Sequence, residues 1–205
     1  MTLKLVLASH NAHKLEELRR VLEPLVPGVE LVGYDGPEPV EDGLSFEENA
    51  LIKARVAAAH TGLPAIADDS GITVDVLGGS PGIFSARWGG HARDDAQNVR
   101  LLLEQLSDIA EENRGAGFVC AAALVLPTGE EVCELGVWKG DLLTEPTGEN
   151  GFGYDPIFRP EGERRSAAEM RPEEKNLVSH RTRAFTELAE AIRERLAPAE
   201  NSPNE

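Results

Sequence analysis

The sequence predicts an α/β protein in which helices cover a mixed sheet. Three observations carry this: strand-like and helix-like apolar spacing alternate along the chain, one hairpin signal interrupts the alternation, and 205 residues without a linker or internal repeat suit a single domain. Residues 3–8 alternate about Lys4 and read as a strand. Leu15, Leu18, Val21 and Leu22 then form the apolar stripe of a helix, ended near Pro24 and the Pro27-Gly28 pair. Residues 29–43 hold Gly33, Gly36, Pro37, Pro39 and Gly43, so a short strand runs there into a loop.

Ser45-Phe46-Glu47-Glu48 has the capping-box form and opens a second, Ala-rich helix reaching about His60, where Gly62 and Pro64 stop it. Residues 65–67 read as a short strand entering Asp68-Asp69-Ser70-Gly71. Residues 72–77 read as a separate extended piece before the Gly-rich stretch 78–90. Val99, Leu102, Leu103 and Leu106 mark one face of a helix over 94–106. Residues 118–126 and 131–138 flank Pro127-Thr128-Gly129-Glu130 as a hairpin, and 144–156 is another loop rich in Gly and Pro. The last helix starts near Ser179 and stacks Phe185, Leu188, Ala189, Ile192 and Leu196. One domain therefore spans 1–196. Residues 197–205, with two prolines and no apolar period, read as a frayed tail.

Charge and composition exclude several classes. Twenty Lys and Arg against 36 Asp and Glu give a net charge of −16, which argues against a protein that tracks a nucleic-acid backbone. The longest apolar run, 118–126, stops at Pro127, short of the roughly 18 to 20 residues a membrane span needs. The apolar block 5–8 is too short for a secretory core of roughly 7 to 15 residues. Cys120 and Cys133 match no metal spacing and read as buried thiols, which predicts a reducing cytoplasm.

Within this acidic chain two helix starts are loaded with bases. Ser9-His10-Asn11-Ala12-His13-Lys14 links the first strand to the first helix, whose N-terminal N–H groups attract anions. Lys14 in that first turn is opposed by the helix dipole, by about 0.3 to 1 kcal/mol, unless an anion intervenes. At the other end Ser179 reads as an N-cap followed by His180, Arg181 and Arg183, with Lys175 upstream. An i,i+4 pair with Glu187 accounts for Arg183 but not for His180 or Arg181. Two such starts suggest one shared anionic ligand, most simply a phosphate chain, and both cations are then expected to cost the free fold a little.

Carboxylates complement them. Glu48 is accounted for by capping and Glu47 by solvent, whereas Asp68 and Asp69 after an apolar strand are poor turn filler. Adjacent residues of an extended chain face opposite ways, so at most one meets the reacting centre; Asp69 is favoured, with Asp68 as a metal or supporting group. Hard cations such as magnesium take one or two such carboxylates plus substrate phosphates. Lys53 on the second helix reads as a snorkelling side chain. Residues 148–158 combine glycines, which admit close backbone approach, with aromatics that offer a flat face to a base.

Together, Ser9-x-Asn11-x-x-Lys14, Phe46-Glu47-Glu48-Asn49-Ala50, Ala67-Asp68-Asp69-Ser70-Gly71, Gly148-Glu149-Asn150-Gly151-Phe152-Gly153-Tyr154-Asp155-Pro156 and Glu174-Lys175-Asn176 with Ser179-His180-Arg181 resemble the inosine/xanthosine triphosphate pyrophosphatase family. The motifs stand in the family's order and span nearly the whole chain. The resemblance implies an elongated mixed sheet with two lobes around a central cleft, a homodimer, and magnesium-dependent hydrolysis of ITP, dITP and XTP to monophosphate and pyrophosphate.

It also implies roles. The phosphates would lie against Ser9, His10, Asn11, Ala12, His13 and Lys14, helped by Lys53 and Lys175. Metal would sit at Glu41 and Asp69, with Asp69 as proton acceptor. Ser70, Phe152, Gly153, Tyr154, Asp155, His180 and Arg181 would hold the nucleotide, the last two near the 6-oxo edge of the base. Glu41 is preferred to Asp42 on the resemblance alone, and His13 stands where the family often has Gly. Two other functions remain open to the same residues: a pyrophosphatase for another modified or pyrimidine nucleotide, and a nucleotide sensor without catalysis.

Overall fold

A computed structural model describes residues 3–91 and 93–196, and the expected tail at 197–205 lies outside the described residues. β1 (Leu3–Leu7) leads into α1 (Ala12–Leu25), which Asn11 caps by accepting the Lys14 N–H on Oδ1 at 3.2 Å. α1 ends as expected near Pro24, one residue beyond it; so close to the C-terminus the ring forfeits little of the ladder. β2 (Val29–Val32) follows. α2 (Phe46–Thr61) starts at Ser45, whose Oγ accepts the Glu48 N–H at 3.2 Å. The return bond of the expected box goes elsewhere, because Glu48 Oε2 accepts the N–H of Leu44 at 2.6 Å.

The two extended pieces expected around Asp68-Asp69 are one strand, β3 (Ala65–Val74). A 3-10 turn, Gly82–Arg87, and α3 (Asp95–Gln105), capped by Asp94, come next. β4 (Gly115–Val125) and β5 (Glu131–Leu142) are longer than their apolar signals, since Gly115, Gly117 and Gly140 interrupt the pattern. β6 (Phe158–Pro160) and α4 (Pro172–Val178) are too short to show a period, and α5 (His180–Leu196) closes the chain.

The sheet order is β2-β1-β3-β4-β5-β6, with β1 parallel to β2 and β3 and the remaining pairs antiparallel. The mixed sheet flanked by helices is therefore present, and its core falls into two lobes. In the first, Leu18, Phe185 and Leu188 of α1 and α5 pack on Ile66 and Leu124, while Ala50, Ala54 and Ala57 of α2 pack on Ala67 and Ala121 of the opposite face. In the second, Leu102 of α3 packs with Ile72, Phe118, Trp138 and Phe158. β3 passes from one lobe to the other with Asp68, Asp69 and Ser70 at the crossing. Opposite them in β4 stand Ala122, Ala121 and Cys120, small residues that leave the carboxylates cross-strand room.

Gly136 of β5 permits the closest helix approach. A Cβ there would lie 2.1 Å from the His180 carbonyl oxygen and 2.4 Å from the Ala184 nitrogen, both backbone atoms of α5. Gly136→Ala should therefore push α5 outward and destabilise the fold by about 1 to 3 kcal/mol. A chemical melt that matches the parent would show that α5 has slack at this contact. No described helix is long and apolar enough to cross a membrane.

Candidate active site

Asp68 and Asp69 share a strand but belong to opposite faces. Asp68 points toward α1 and α5 with its side chain almost wholly buried. Lys14 Nζ lies 2.5 Å from Oδ1, Arg181 Nε lies 3.4 Å from Oδ2, and Ser70 Oγ donates to Oδ2 at 3.3 Å. Burial alone would raise this carboxyl, but Lys14 and then Arg181 overcome it and hold Asp68 well below the usual carboxylate range. The two basic helix starts thus meet on one buried acid, which the sequence did not reveal. The pairing with Asp68 opposes the small cost to the free fold that the helix dipoles alone assign to both cations. Arg181 Nη1 also reaches Glu17 at 3.3 Å.

Asp69 points the other way, toward α2. Its Oδ2 accepts from Asn49 Nδ2 at 3.2 Å, and its Oδ1 lies 3.2 Å from Lys53 Nζ, which also lies 3.1 Å from Glu41 Oε1. Burial raises the Asp69 pKa and Glu41 adds to it, against the pull of Lys53 and Asn49. Burial works against the Lys53 cation, but Asp69, Asp68 and Glu41 outweigh it and raise its pKa. Lys53 does not snorkel; its ammonium binds two carboxylates. Among the described residues no group of three or more His, Cys, Asp or Glu gathers as a metal cage.

Above these acids lies a cavity of about 590 Å³ lined by Ser9, His10, Lys14, Glu41, Lys53 and Asp68, among others. Ser9 Oγ accepts the Asn11 N–H at 3.2 Å, Ala12 begins α1, and the side chain of His13 lies outside what is described. His10 stacks on Tyr34 at 5.7 Å and its ring nitrogens meet the Gly36 carbonyl at 3.0 Å and Glu38 at 2.9 Å. That fastens the 33–44 loop, which carries Glu41, to the first helix start.

A second cavity, about 230 Å³, lies further along β3, with Ser70, Phe118, Phe152, Asp155, His180 and Arg181 in its wall. His180 is buried and stacked on Phe118 at 4.9 Å, with no hydrogen-bond partner on Nδ1. Burial, then Arg181 and Lys175, push it down to about 3, so the ring is neutral. Asp155 accepts from the Phe152 N–H at 2.8 Å and from Lys175 Nζ at 2.5 Å. Gly151 is required beside it, at φ 77° with a hypothetical Cβ 2.1 Å from Asp155 Oδ2. The Gly153 N–H donates to Asp95 and the Tyr154 hydroxyl to the Ser85 carbonyl, which ties the 148–156 loop to the second lobe.

Lys175, expected beside the phosphates, instead lines this second cavity, with its ammonium 5.0 Å over the Phe152 ring. Arg183 does not pair with Glu187; it donates to the Val137 and Val178 carbonyls. Ser85 and Asp95 were missed by sequence reasoning, and Asn49 stood in a quoted motif without a role. Asn49 had a signal, being a polar residue at i+3 from Phe46 on a face otherwise filled by Ala50, Ala54 and Ala57. Ser85 and Asp95 had none.

The comparisons concern the chain as a whole. Residues 5–191 match the profile of the Ham1 family. A dITP/XTP pyrophosphatase of Leifsonia xyli subsp. xyli is 54% identical over 190 residues, covering 93% of this chain and 96% of that protein. The crystal structure of a nucleoside-triphosphatase / dITP/XTP pyrophosphatase from Mycobacterium abscessus superposes with a TM-score of 0.78 at 57% identity, over 91% of this chain and 97% of that one. A HAM1 protein from Coxiella burnetii superposes with a TM-score of 0.87 at 42% identity, over 94% and 99%. With the profile spanning nearly all of both lobes and the relatives matching end to end, the chain belongs to the Ham1 family.

Proposed function

We infer that this chain hydrolyses the noncanonical purine nucleoside triphosphates dITP, XTP and ITP to nucleoside monophosphate and pyrophosphate. One observation carries the reading: a pocket fit for a base and a cation-lined cavity fit for phosphates adjoin along β3, with an ionisable acid between them. The bond that breaks is the phosphoanhydride between the α- and β-phosphates, and the new P–O bond comes from water. Asp69 takes the water's proton. Its raised pKa makes it a better acceptor than an exposed carboxylate, while Lys53 and Asn49 keep it oriented. Lys14 and Lys53 offset phosphate charge.

Magnesium fits the donor set. Glu41 and Asp69 already converge on a single cation, the Lys53 ammonium, and two carboxylates plus substrate phosphates are what magnesium accepts. When bound there it would neutralise charge on the phosphate oxygens. Base choice rests on the other cavity. A guanidinium offers only donors, so Arg181 suits the 6-oxo oxygen of hypoxanthine or xanthine and leaves the adenine amino group unpaired. Neutral His180, with a free Nδ1, complements that edge. The homodimer belongs to this reading through the family likeness. The cytoplasmic setting does so through two free thiols, which burial pushes up to about 12 at Cys120 and about 11 at Cys133.

Phosphorus NMR of the reaction with dITP or XTP should show monophosphate and pyrophosphate, with ATP and GTP much slower and magnesium required. Orthophosphate with a nucleoside diphosphate would break the bond assignment, and binding without turnover would leave a sensor.

A further inference from the structure

Of the aromatic rings in the wall of the smaller cavity, Phe118, Tyr154 and His180 are buried, whereas Phe152 is 65% exposed. Phe152 also borders an apolar groove of about 760 Å³ along α3, lined by Val99, Leu103, Pro146 and Pro156, so apolar room lies on both sides of the ring. The backbone does little to choose between them. Gly151 and Gly153 flank Phe152 at φ 77° and 58°, and a residue between two glycines is held by few steric limits. The place of the ring is then set by what the neighbouring N–H groups bind.

Two carboxylates bind them. The Phe152 N–H donates to Asp155 at 2.8 Å within the same loop, and the Gly153 N–H donates to Asp95 Oδ2 at 3.0 Å, 58 residues away in the chain. Asp95 is a firm anchor although it is exposed. It is the first residue of α3, where the helix dipole favours a carboxylate, and Asp94 caps that turn by accepting the Gln97 N–H at 3.1 Å. Buried Asn98 then accepts the Gly89 N–H at 2.6 Å and donates to the Ala86 carbonyl at 3.3 Å, while Gln97 donates to the Gly89 carbonyl at 2.8 Å. The segment so held returns to the loop, since the Ser85 carbonyl accepts the Tyr154 hydroxyl at 2.8 Å. This circuit runs from α3 to the 3-10 turn to Tyr154, and the Asp95 bond to Gly153 closes it beside Phe152.

We propose that Asp95 is a positioning residue for base recognition: through the Gly153 N–H it keeps the Phe152 ring against the smaller cavity, where the ring stacks on the purine. This rests on the hydrolytic reading above in placing the base there. Asp95 needs no contact with the nucleotide to do so. It acts through a hydrogen bond rather than through its charge, so a side chain that still presents an acceptor oxygen can replace it.

The test is calorimetry with dIMP and, separately, with inorganic pyrophosphate, on the parent chain, Asp95→Ala, Asp95→Asn, Phe152→Ala and the double variant of Asp95→Ala with Phe152→Ala. Asp95→Ala should bind dIMP about fivefold more weakly, the lower end for a lost base–aromatic stack, and pyrophosphate as before. Asp95→Asn should recover most of the loss, because its amide oxygen still accepts the Gly153 N–H. KM for dITP should rise in Asp95→Ala with kcat little changed. In the Phe152→Ala background Asp95→Ala should cost nothing further, a result that a merely structural role at the start of α3 would not give. Unchanged dIMP affinity in Asp95→Ala would overturn the proposal, as would an equal loss for pyrophosphate, an Asp95→Asn chain as weak as Asp95→Ala, or a loss that persists without the Phe152 ring. If the parent chain releases no pyrophosphate from dITP, the hydrolytic reading fails while the dIMP titrations still decide the role of Asp95. A parent chain that binds no dIMP overturns both.

Discussion

Asp69→Asn should lower turnover by about 10² or more while leaving the melting temperature unchanged or higher. Asparagine keeps the shape and the hydrogen bond from Asn49 but cannot accept the water's proton or offer a charged oxygen to magnesium. The stability half follows from the raised pKa. A carboxyl that holds its proton more tightly when folded than when unfolded is, in its ionised form, a cost to folding at neutral pH, and that cost fades as pH falls toward the folded value. Removing the charge removes the cost, and Lys53 retains Glu41 at 3.1 Å. Glu48→Gln is the control, since its amide oxygen can still accept the Leu44 N–H. Turnover across a magnesium titration, with melts of both variants, checks the pair. Near-normal turnover in Asp69→Asn would put the catalytic carboxylate on another element.

What the sequence disclosed and what it hid have one physical cause. Signals that depend on local spacing were legible: the stripe of α1, the Ser45 cap, the hairpin turn at 127–130, and the opposite orientations of adjacent residues such as Asp68 and Asp69. Interactions between residues far apart in the chain were not. Nothing in the spacing of Lys14, Asp68 and Arg181 says that they converge, because the parallel β1–β3 pairing and the seating of α5 on the sheet bring them together. The same holds for Lys175, which its chain neighbours grouped with phosphate ligands and which α4 carries to Asp155 instead. The continuity of β3 through its two acids was hidden as well, since it involves the facing alanines of β4 and partners distant in the chain that meet the two carboxylates.

Lys14→Ala should destabilise the fold by about 3 kcal/mol at neutral pH, the lower end for removing one partner of a buried ion pair, because Arg181 remains to share the load. Dipole considerations alone give the opposite sign, with a gain of at most about 1 kcal/mol from deleting a cation in the first helical turn. The buried pair wins because Asp68 is nearly inaccessible and has lost its hydration, whereas the dipole acts on a side chain that still touches solvent. The pH dependence separates the two accounts. The folded-state pKa of Asp68 is depressed below its ordinary 3.8, so its stabilisation is fully present above that value and is lost as pH falls through the lower folded one. The stability gap between parent and Lys14→Ala should therefore be widest near neutrality and shrink on acidification, while a pure dipole effect would persist. Asp68→Asn in the Lys14→Ala background should restore most of the loss, since an amide needs no counter-charge. Urea melts of the single and double variants from about pH 7 to about pH 3 measure all three. A Lys14→Ala chain as stable as its parent at neutral pH, or a double variant no better than the single, would show that Asp68 does not depend on Lys14.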